Sequence, residues 1–583
     1  MIITQACKLL TLFQTALLDP ARAPLPLRGG PAAPPLARLA APQHLLGLLV
    51  SAALGLLFAR WLYGSAFLLG DTAFWRHSSN DITQYIAGFN AFVREPWHWP
   101  LLRIDAINWP AGTHATFLDT VPLYAMLLKL FYQGDSAAYW NPYGSYIALC
   151  YLLQGVGAWW LAREGGLRSW AALLALAVLL LSFPALSHRI HHTSLMSQWI
   201  LLFGLAIYVR SSRLGRLAVL PWVALILASF YINIYLFCMV SVIFAADTVR
   251  HLRRGRLLAG AAPLLLAYAA LALSLWATLL PLGASNGGQE WGFGFYSMNL
   301  LAPFTGGKLV RLAHATAHAG QGEGYNYLGL FFLGLLAAAY RLRRRLDPGF
   351  WQRHRVLLLL LTMMSVYALS TTVYLGSLQL LDWYLPQWTG RITSQLRASG
   401  RFFWPVGYAA MVFAVFTVAR QHAWRQRGAL LLAVAALQLW DLGEHHRDVR
   451  LGIQAGGPPL IDAARWTRFL GPQIDTLYFY PPFRCGKNVP AETVLPTMQY
   501  AVQQGLRFST GYVSRLNPPC EGYAEQIAHA RRDGTAFAFV RSEFPILAAV
   551  HELLGAGHAY QCIEADFVYL CKPAHPSSME NPQ

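Results

Sequence analysis

Apolar runs separated by short polar stretches fill the chain from about residue 44 to 442. They fall at 44–63, 143–162, 170–186, 194–209, 217–231, 234–249, 257–281, 325–340, 356–374, 401–419 and 428–442. A helix rises 1.5 Å per residue, so about 20 apolar residues cross the hydrocarbon core of a bilayer. The pattern predicts a mainly α, polytopic membrane helical bundle of about eleven spans. Several runs are short and must extend into their flanks. The stretch 217–249 reads as two short helices turning at Tyr231–Tyr235, because one long span would put the basic loop that follows on the wrong side.

Two segments break this rhythm. In HSSNDITQYIAGFNAFVREPWHWP (77–100), Ser78, Ser79 and Asn80 offer N-cap chemistry. Ile82, Tyr85, Ile86, Phe89, Phe92 and Val93 then form one apolar stripe, which predicts a helix lying flat on the bilayer surface. Pro96 ends it, and Trp97, Trp99 and Trp109 suit an interface. The second segment, FLDTVPLYAMLLKLFYQ (117–133), holds Asp119, Pro122 and Lys129, and reads as a half-buried helix rather than a crossing.

The ends differ from the middle. Residues 1–43 read as a proline-rich cytoplasmic tail, with seven prolines between 20 and 43. The region 443–583 is more polar, with strand-like runs at 476–480, 536–540 and 567–571 and helical patterns near 497–505 and 543–555. It reads as a small C-terminal α/β or α+β domain.

Charge sets the orientation. The chain of 583 residues is 56% hydrophobic, 12% charged and +18 in net charge. Loops 163–169, 210–216, 250–256, 341–355 and 420–427 hold 18 arginines. The alternate loops 64–116, 187–193, 282–324 and 375–400 hold eight Lys or Arg in more than twice the length. The arginine-rich set is therefore expected in the cytoplasm, with the C-terminal domain on the outer face. Basic clusters that set topology do not make a nucleic-acid stripe, so the expected surroundings are the lipid bilayer and no nucleic acid. No Gly-rich phosphate loop and no CxxC pair occurs.

The candidate chemistry lies on the expected outer side. Asp81 and Asp119 each stand near a helix start, where an acid also simply serves the helix dipole. His188, His191 and His192 have a spacing that suits a metal on a helix, or else form a polar turn between spans; no Cys or nearby acid completes a ligand set. Glu323 precedes an apolar run, between Gly322 and Gly324, which allow close backbone approach or a turn. Arg391, Arg397 and Arg401 stand against the inside bias and suit phosphate or carboxylate. Cys485, Cys520, Cys562 and Cys571 allow three pairings, of which Cys562–Cys571 with Cys485–Cys520 is favoured.

The pieces NDITQYIAGF, FLDTVPL, EGYNYLGL and RASGRFFWP, in this order, resemble the GT-C superfamily of membrane glycosyltransferases, and more narrowly an uncharacterised bacterial GT-C-like multi-span family, over about residues 45–440. The resemblance implies a polyprenyl-phosphate-linked sugar donor and chemistry on the outer face of the bacterial inner membrane. Asp81 would be the general base and Asp119 a second polar site residue. Arg397 and Arg401 would hold the donor phosphate, and with Arg391, Glu323, Tyr325, His191 and His192 they form the candidate donor-phosphate or substrate-binding set. The acceptor is an unspecified glycan, lipid or protein. The first loop lacks the paired acids of metal-using members, so a divalent metal stays open and no other cofactor is implied. A non-catalytic assembly protein and a transporter of lipid-linked sugars are the competing classes.

Overall fold

The computed structural model describes residues 42–76, 80–132, 140–252, 257–282, 290–346, 349–421, 426–487, 491–555 and 559–574. The N-terminal tail to residue 41, and Ser78 and Ser79, lie outside them. Each of the eleven apolar runs holds a helix: Pro42–Tyr63, Tyr143–Glu164, Trp170–Leu181, Trp199–Leu214, Val219–Phe230, Ile234–His251, Leu257–Thr278, Leu330–Leu346, Arg355–Leu369, Trp404–Ala419 and Arg427–Asp441. Seven are long and apolar enough to cross a membrane, counting the short turns that continue three of them. The chain is a membrane protein with seven candidate spans among the described residues, against the eleven expected. The other four helices have 12, 17, 15 and 15 residues. At 1.5 Å per residue that is about 18–26 Å, less than a hydrocarbon core of about 30 Å. The run 356–374 shows one cause. Ser370 takes a left-handed φ of 64°, and the chain leaves the helix for an antiparallel hairpin, Thr372–Leu375 with Leu378–Asp382.

The segment 217–249 is two helices. Asn233 caps the second, accepting from Tyr235 N at 2.9 Å. The carbonyl of Tyr231 accepts from Leu123 N, also at 2.9 Å, so the turn is tied to the short helix Pro122–Lys129. That helix has eight residues, too few to span.

The connections gather at two ends. At one, Glu164 pairs with Arg213 at 2.5 Å and Arg210 at 3.6 Å, and Arg420 donates to Gly165 O at 2.7 Å. At the other lie the first long loop, the turn 188–192, the segments 290–329 and 370–403, and the C-terminal domain. These are the two sets that the arginine count separates.

The C-terminal domain is built on five strands: β1 (Thr476–Tyr480), β2 (Arg507–Phe508), β3 (Thr535–Val540), β4 (Tyr560–Ala565) and β5 (Val568–Pro573). Their order is β2-β1-β3-β5-β4, parallel around β1 and antiparallel from β3 outward. Strand alternation sends Leu477 and Phe479 to one face and Tyr480 to the other. Val494, Leu495 and Met498 join the first face in a core continuous with the helical bundle. Ile527, Val550 and Leu554 cover the second. Disulfides join Cys485 to Cys520 and, across the β4–β5 hairpin, Cys562 to Cys571.

The helix Asp81–Arg94 does not lie on a membrane surface. Every residue from Ile82 to Val93 is buried, its polar side chains included. Gln84 donates to Phe117 O at 3.3 Å and to Tyr512 O at 2.7 Å. Asn90 donates to Trp140 O, and Arg94 to Val502 O, both at 2.7 Å. Buried amides need such partners, and here the C-terminal domain supplies several. Trp109 is half-buried, with the guanidinium of Arg507 4.3 Å from its ring centroid.

Candidate functional site

Asn80 caps the helix Asp81–Arg94 with its side-chain oxygen, which accepts from Ile82 N at 3.0 Å. Its amide nitrogen reaches Nδ1 of His191 at 3.2 Å. That bond brings the turn 188–192 against the helix start and places His192 beside Asp81. His192 Nδ1 stands 2.9 Å from Asp81 Oδ2, and its Nε2 stands 3.4 Å from Glu323 Oε1. Glu323 also receives Arg401 Nε at 2.8 Å and Arg189 Nη1. Arg189 further donates to Gly322 O at 2.8 Å. The chain of charges runs Asp81, His192, Glu323, then two arginines, drawn from four separate segments.

Of the glycines flanking Glu323, Gly324 serves backbone packing, while Gly322 has room for a side chain. A Cβ on Gly324 would fall 2.5 Å from Met298 Cα, and one on Gly400 2.6 Å from Gly324 Cα. Asn326 donates to the carbonyls of both glycines at 3.0 Å. This contact sets Glu323 against Arg401.

Burial opposes charge in this chain, and for Asp81, His192 and Glu323 pairing decides the outcome. For Asp81, the His192 hydrogen bond, the His192 and Arg401 charges and the Tyr512 hydroxyl outweigh burial and hold the carboxyl below its ordinary value. For Glu323, Arg401, Arg189 and His192 do the same more strongly. His192 is raised despite burial, by its bonds to Asp81 and Glu323. An imidazole donating from both nitrogens is a cation.

Asp119 behaves otherwise. Burial first, then the nearby charge of Asp81, push its carboxyl up to about 6, against the pull of His192, Arg401 and Arg515. Among the described residues none hydrogen-bonds its carboxylate. It sits in a left-handed conformation, φ 53°, and Val121, two residues on, has φ 54°. Such backbone is costly for non-glycine residues, most of all a β-branched one, and clusters at functional sites.

A second group borders the first. Glu290 pairs with Arg397 at 3.5 Å and with Arg484, and accepts from Arg515 N at 3.2 Å. Arg397 also donates to Trp291 O at 3.1 Å. In the C-terminal domain, Arg484 directly precedes the Cys485–Cys520 disulfide and Arg515 lies within the segment it closes; their φ values are left-handed, 72° and 61°.

Of the residues expected from sequence, Asp81, Asp119, His192, Glu323 and Arg401 come together, with His191 and Arg397 beside them. Arg391 is exposed on the short helix Gly390–Thr393, away from the cluster. Tyr325 turns elsewhere: its hydroxyl donates to Gly306 O at 3.2 Å, and its ring faces His188 and His445. The three histidines do not converge on a metal, because His188, His191 and His192 face Tyr325, Asn80 and Asp81 respectively. One oxygen of Glu323, Oε2, takes both arginines, and the other faces the raised imidazole of His192, so the residues here do not fit a divalent ion. Five residues were missed. Arg189 was visible as a lone arginine in SHRIHHTS, and Glu290 as an acid in the 282–324 loop. Arg484, Tyr512 and Arg515 lie in stretches of the tail with no periodicity to mark them.

An apolar bundle whose polar loops converge with a mixed-sheet domain on one buried, charged cluster defines a polytopic membrane protein with a composite site at one end. The chain belongs to the family described as a domain of unknown function (DUF6311), whose model matches residues 52–443; the DUF6311 C-terminal domain matches residues 465–573. No curated protein matches it.

Proposed function

We propose that the protein is a GT-C-type membrane glycosyltransferase. It takes sugar from a polyprenyl-phosphate donor at the outer face of a bacterial inner membrane, and its C-terminal domain is extracytoplasmic. The arginine-rich loops gathered at the opposite end favour that orientation, and all eleven apolar helices crossing would agree with it. The observation that carries the reading is the carboxyl of Asp119, raised to about 6 beside the fixed charges of Asp81 and His192. A general base works best when its pKa lies near the working pH. Asp119 meets that condition. Asp81, committed to His192 and held low, is the weaker base. We therefore assign the base to Asp119, and to Asp81 the orientation of His192 and the elevation of Asp119.

In the proposed step, the acceptor hydroxyl attacks the anomeric carbon and passes its proton to Asp119. The bond between that carbon and the donor phosphate oxygen breaks. Arg397 and Arg515 stabilise the charge left on the phosphate; Arg401 is already committed to Glu323. The lipid part of the donor suits the neighbouring hairpin and the stretch after it, where Leu380, Leu381, Tyr384 and Trp388 are exposed.

The test is sugar transfer by purified protein from a polyprenyl-phosphate sugar, measured for Asp119→Asn and Asp81→Asn. Asp119→Asn is expected to lose at least about 10²-fold in rate, and Asp81→Asn less. Equal activity of Asp119→Asn and wild type removes the proposed base.

A further inference from the structure

A second cluster lies at the other end of the helix Asp81–Arg94. Glu95 follows that helix, His98 comes three residues later, and Asp105 lies just past the short strand Arg103–Ile104. One ligand atom from each falls within 4.8 Å of the others. His98 Nε2 is 3.5 Å from Glu95 Oε2 and 3.7 Å from Asp105 Oδ2. These separations are too long for good hydrogen bonds. The same Nε2 is closed off from solvent and has no hydrogen-bond partner among the described residues. A buried nitrogen left without a partner between two carboxylates calls for a missing bridging group.

We propose that Glu95, His98 and Asp105 bind a divalent transition-metal ion of the zinc type. Donors around a tetrahedral zinc at about 2.0–2.2 Å stand about 3.3–3.6 Å apart, close to the two separations here. An imidazole with two carboxylates suits zinc or manganese better than calcium or magnesium. Hydrogen bonds accepted by the other carboxylate oxygens orient the ligands. Glu95 Oε1 accepts from Asp105 N at 3.0 Å and Ala106 N at 2.7 Å, and Asp105 Oδ1 accepts from Arg103 Nε at 2.6 Å. With three protein ligands, the fourth position takes water.

The place gives the ion a task. Directly after Asp105, the chain joins the edge of the C-terminal sheet: Phe508 N donates to Ala106 O at 2.7 Å, and Trp109 N to Phe508 O at 2.9 Å. The ion fastens the end of the buried helix to the segment on which the C-terminal domain docks.

The experiment uses the full chain purified in detergent, stripped with chelator, exposed to one equivalent of zinc or manganese, and desalted. Retained metal is measured by elemental mass spectrometry, and thermal stability with and without chelator. The expected result is about one ion per chain and a melting temperature that falls on chelation. His98→Gln and Glu95→Gln should each weaken retention by at least about tenfold. His192→Gln, which alters the other His–carboxylate cluster, should retain the ion. No retention by the native chain, or retention by His98→Gln equal to it, overturns the proposal. So does loss of the ion in His192→Gln alone.

Discussion

Glu323 holds two guanidinium groups and an imidazole while only 16% of its side chain meets solvent, and Arg189 beside it is 3% exposed. Removing one partner of such a group leaves uncompensated buried charge, which costs about 3–5 kcal/mol. Glu323→Gln is expected to destabilise the protein by that order, read as a lower melting temperature in detergent. Glu323 lies below its ordinary value, so its contribution is present above the normal carboxylate range and is lost as pH falls through its lowered value. Asp119 runs the other way. Its folded pKa of about 6 exceeds the ordinary 3.8, so its contribution to stability is present at low pH and is lost as pH rises through about 6. For catalysis the sign reverses, because the base form fills above about 6. The transfer rate should rise with pH to about 6 and then level. In Asp81→Asn, that limb should move to lower pH, since a negative charge that raises Asp119 is gone; a pH–rate profile of both proteins checks this.

At the scale of elements, every apolar run of the right length was legible as a helix, and so was the break at Tyr231–Tyr235, because hydropathy and the arginine rule report on burial directly. The helix 81–94 shows the limit. Its apolar stripe was readable, but Thr83, Gln84 and Asn90 on the other face are buried as well, since Trp140 meets Asn90 and a distant domain meets Gln84. No local pattern announces a cover that begins some 400 residues later. The strand-like runs 476–480, 536–540 and 567–571 marked β1, β3 and β5 to within two residues, whereas β2, with two residues, and β4, with a half-exposed pattern, had no run to mark them. The Gly324–Gly400 contact is an element-level feature with a measurable cost. Gly324→Ala must push backbone at 2.5 Å, and overpacking of this kind costs about 1–3 kcal/mol. The substitution should lower the melting temperature and also reduce transfer, since Glu323 sits next to the displaced residue.

On the scale of the molecule, the site is shared between two parts of the chain. The bundle and its loops give Asp81, Asp119, His192, Glu323 and Arg401; the C-terminal domain gives Tyr512 to Asp81 and brings Arg484 and Arg515 to Glu290. It also buries the helix on which Asp81 is mounted, through Gln84 and Arg94. A chain ending at residue 454, which keeps all eleven apolar helices, would leave the amide of Gln84 without its better acceptor and the apolar residues facing Val494, Leu495 and Met498 uncovered. Losing buried hydrogen bonds and burial together costs several kcal/mol, concentrated in the first loop. The truncated protein should therefore still insert in membranes and keep its helical content by circular dichroism. Its 80–115 region should become open to protease cleavage, and transfer activity should vanish. Tyr512→Phe in the full chain separates cover from chemistry. It keeps the helix buried and removes one hydrogen bond from Asp81, so protection from protease should persist while the rate falls.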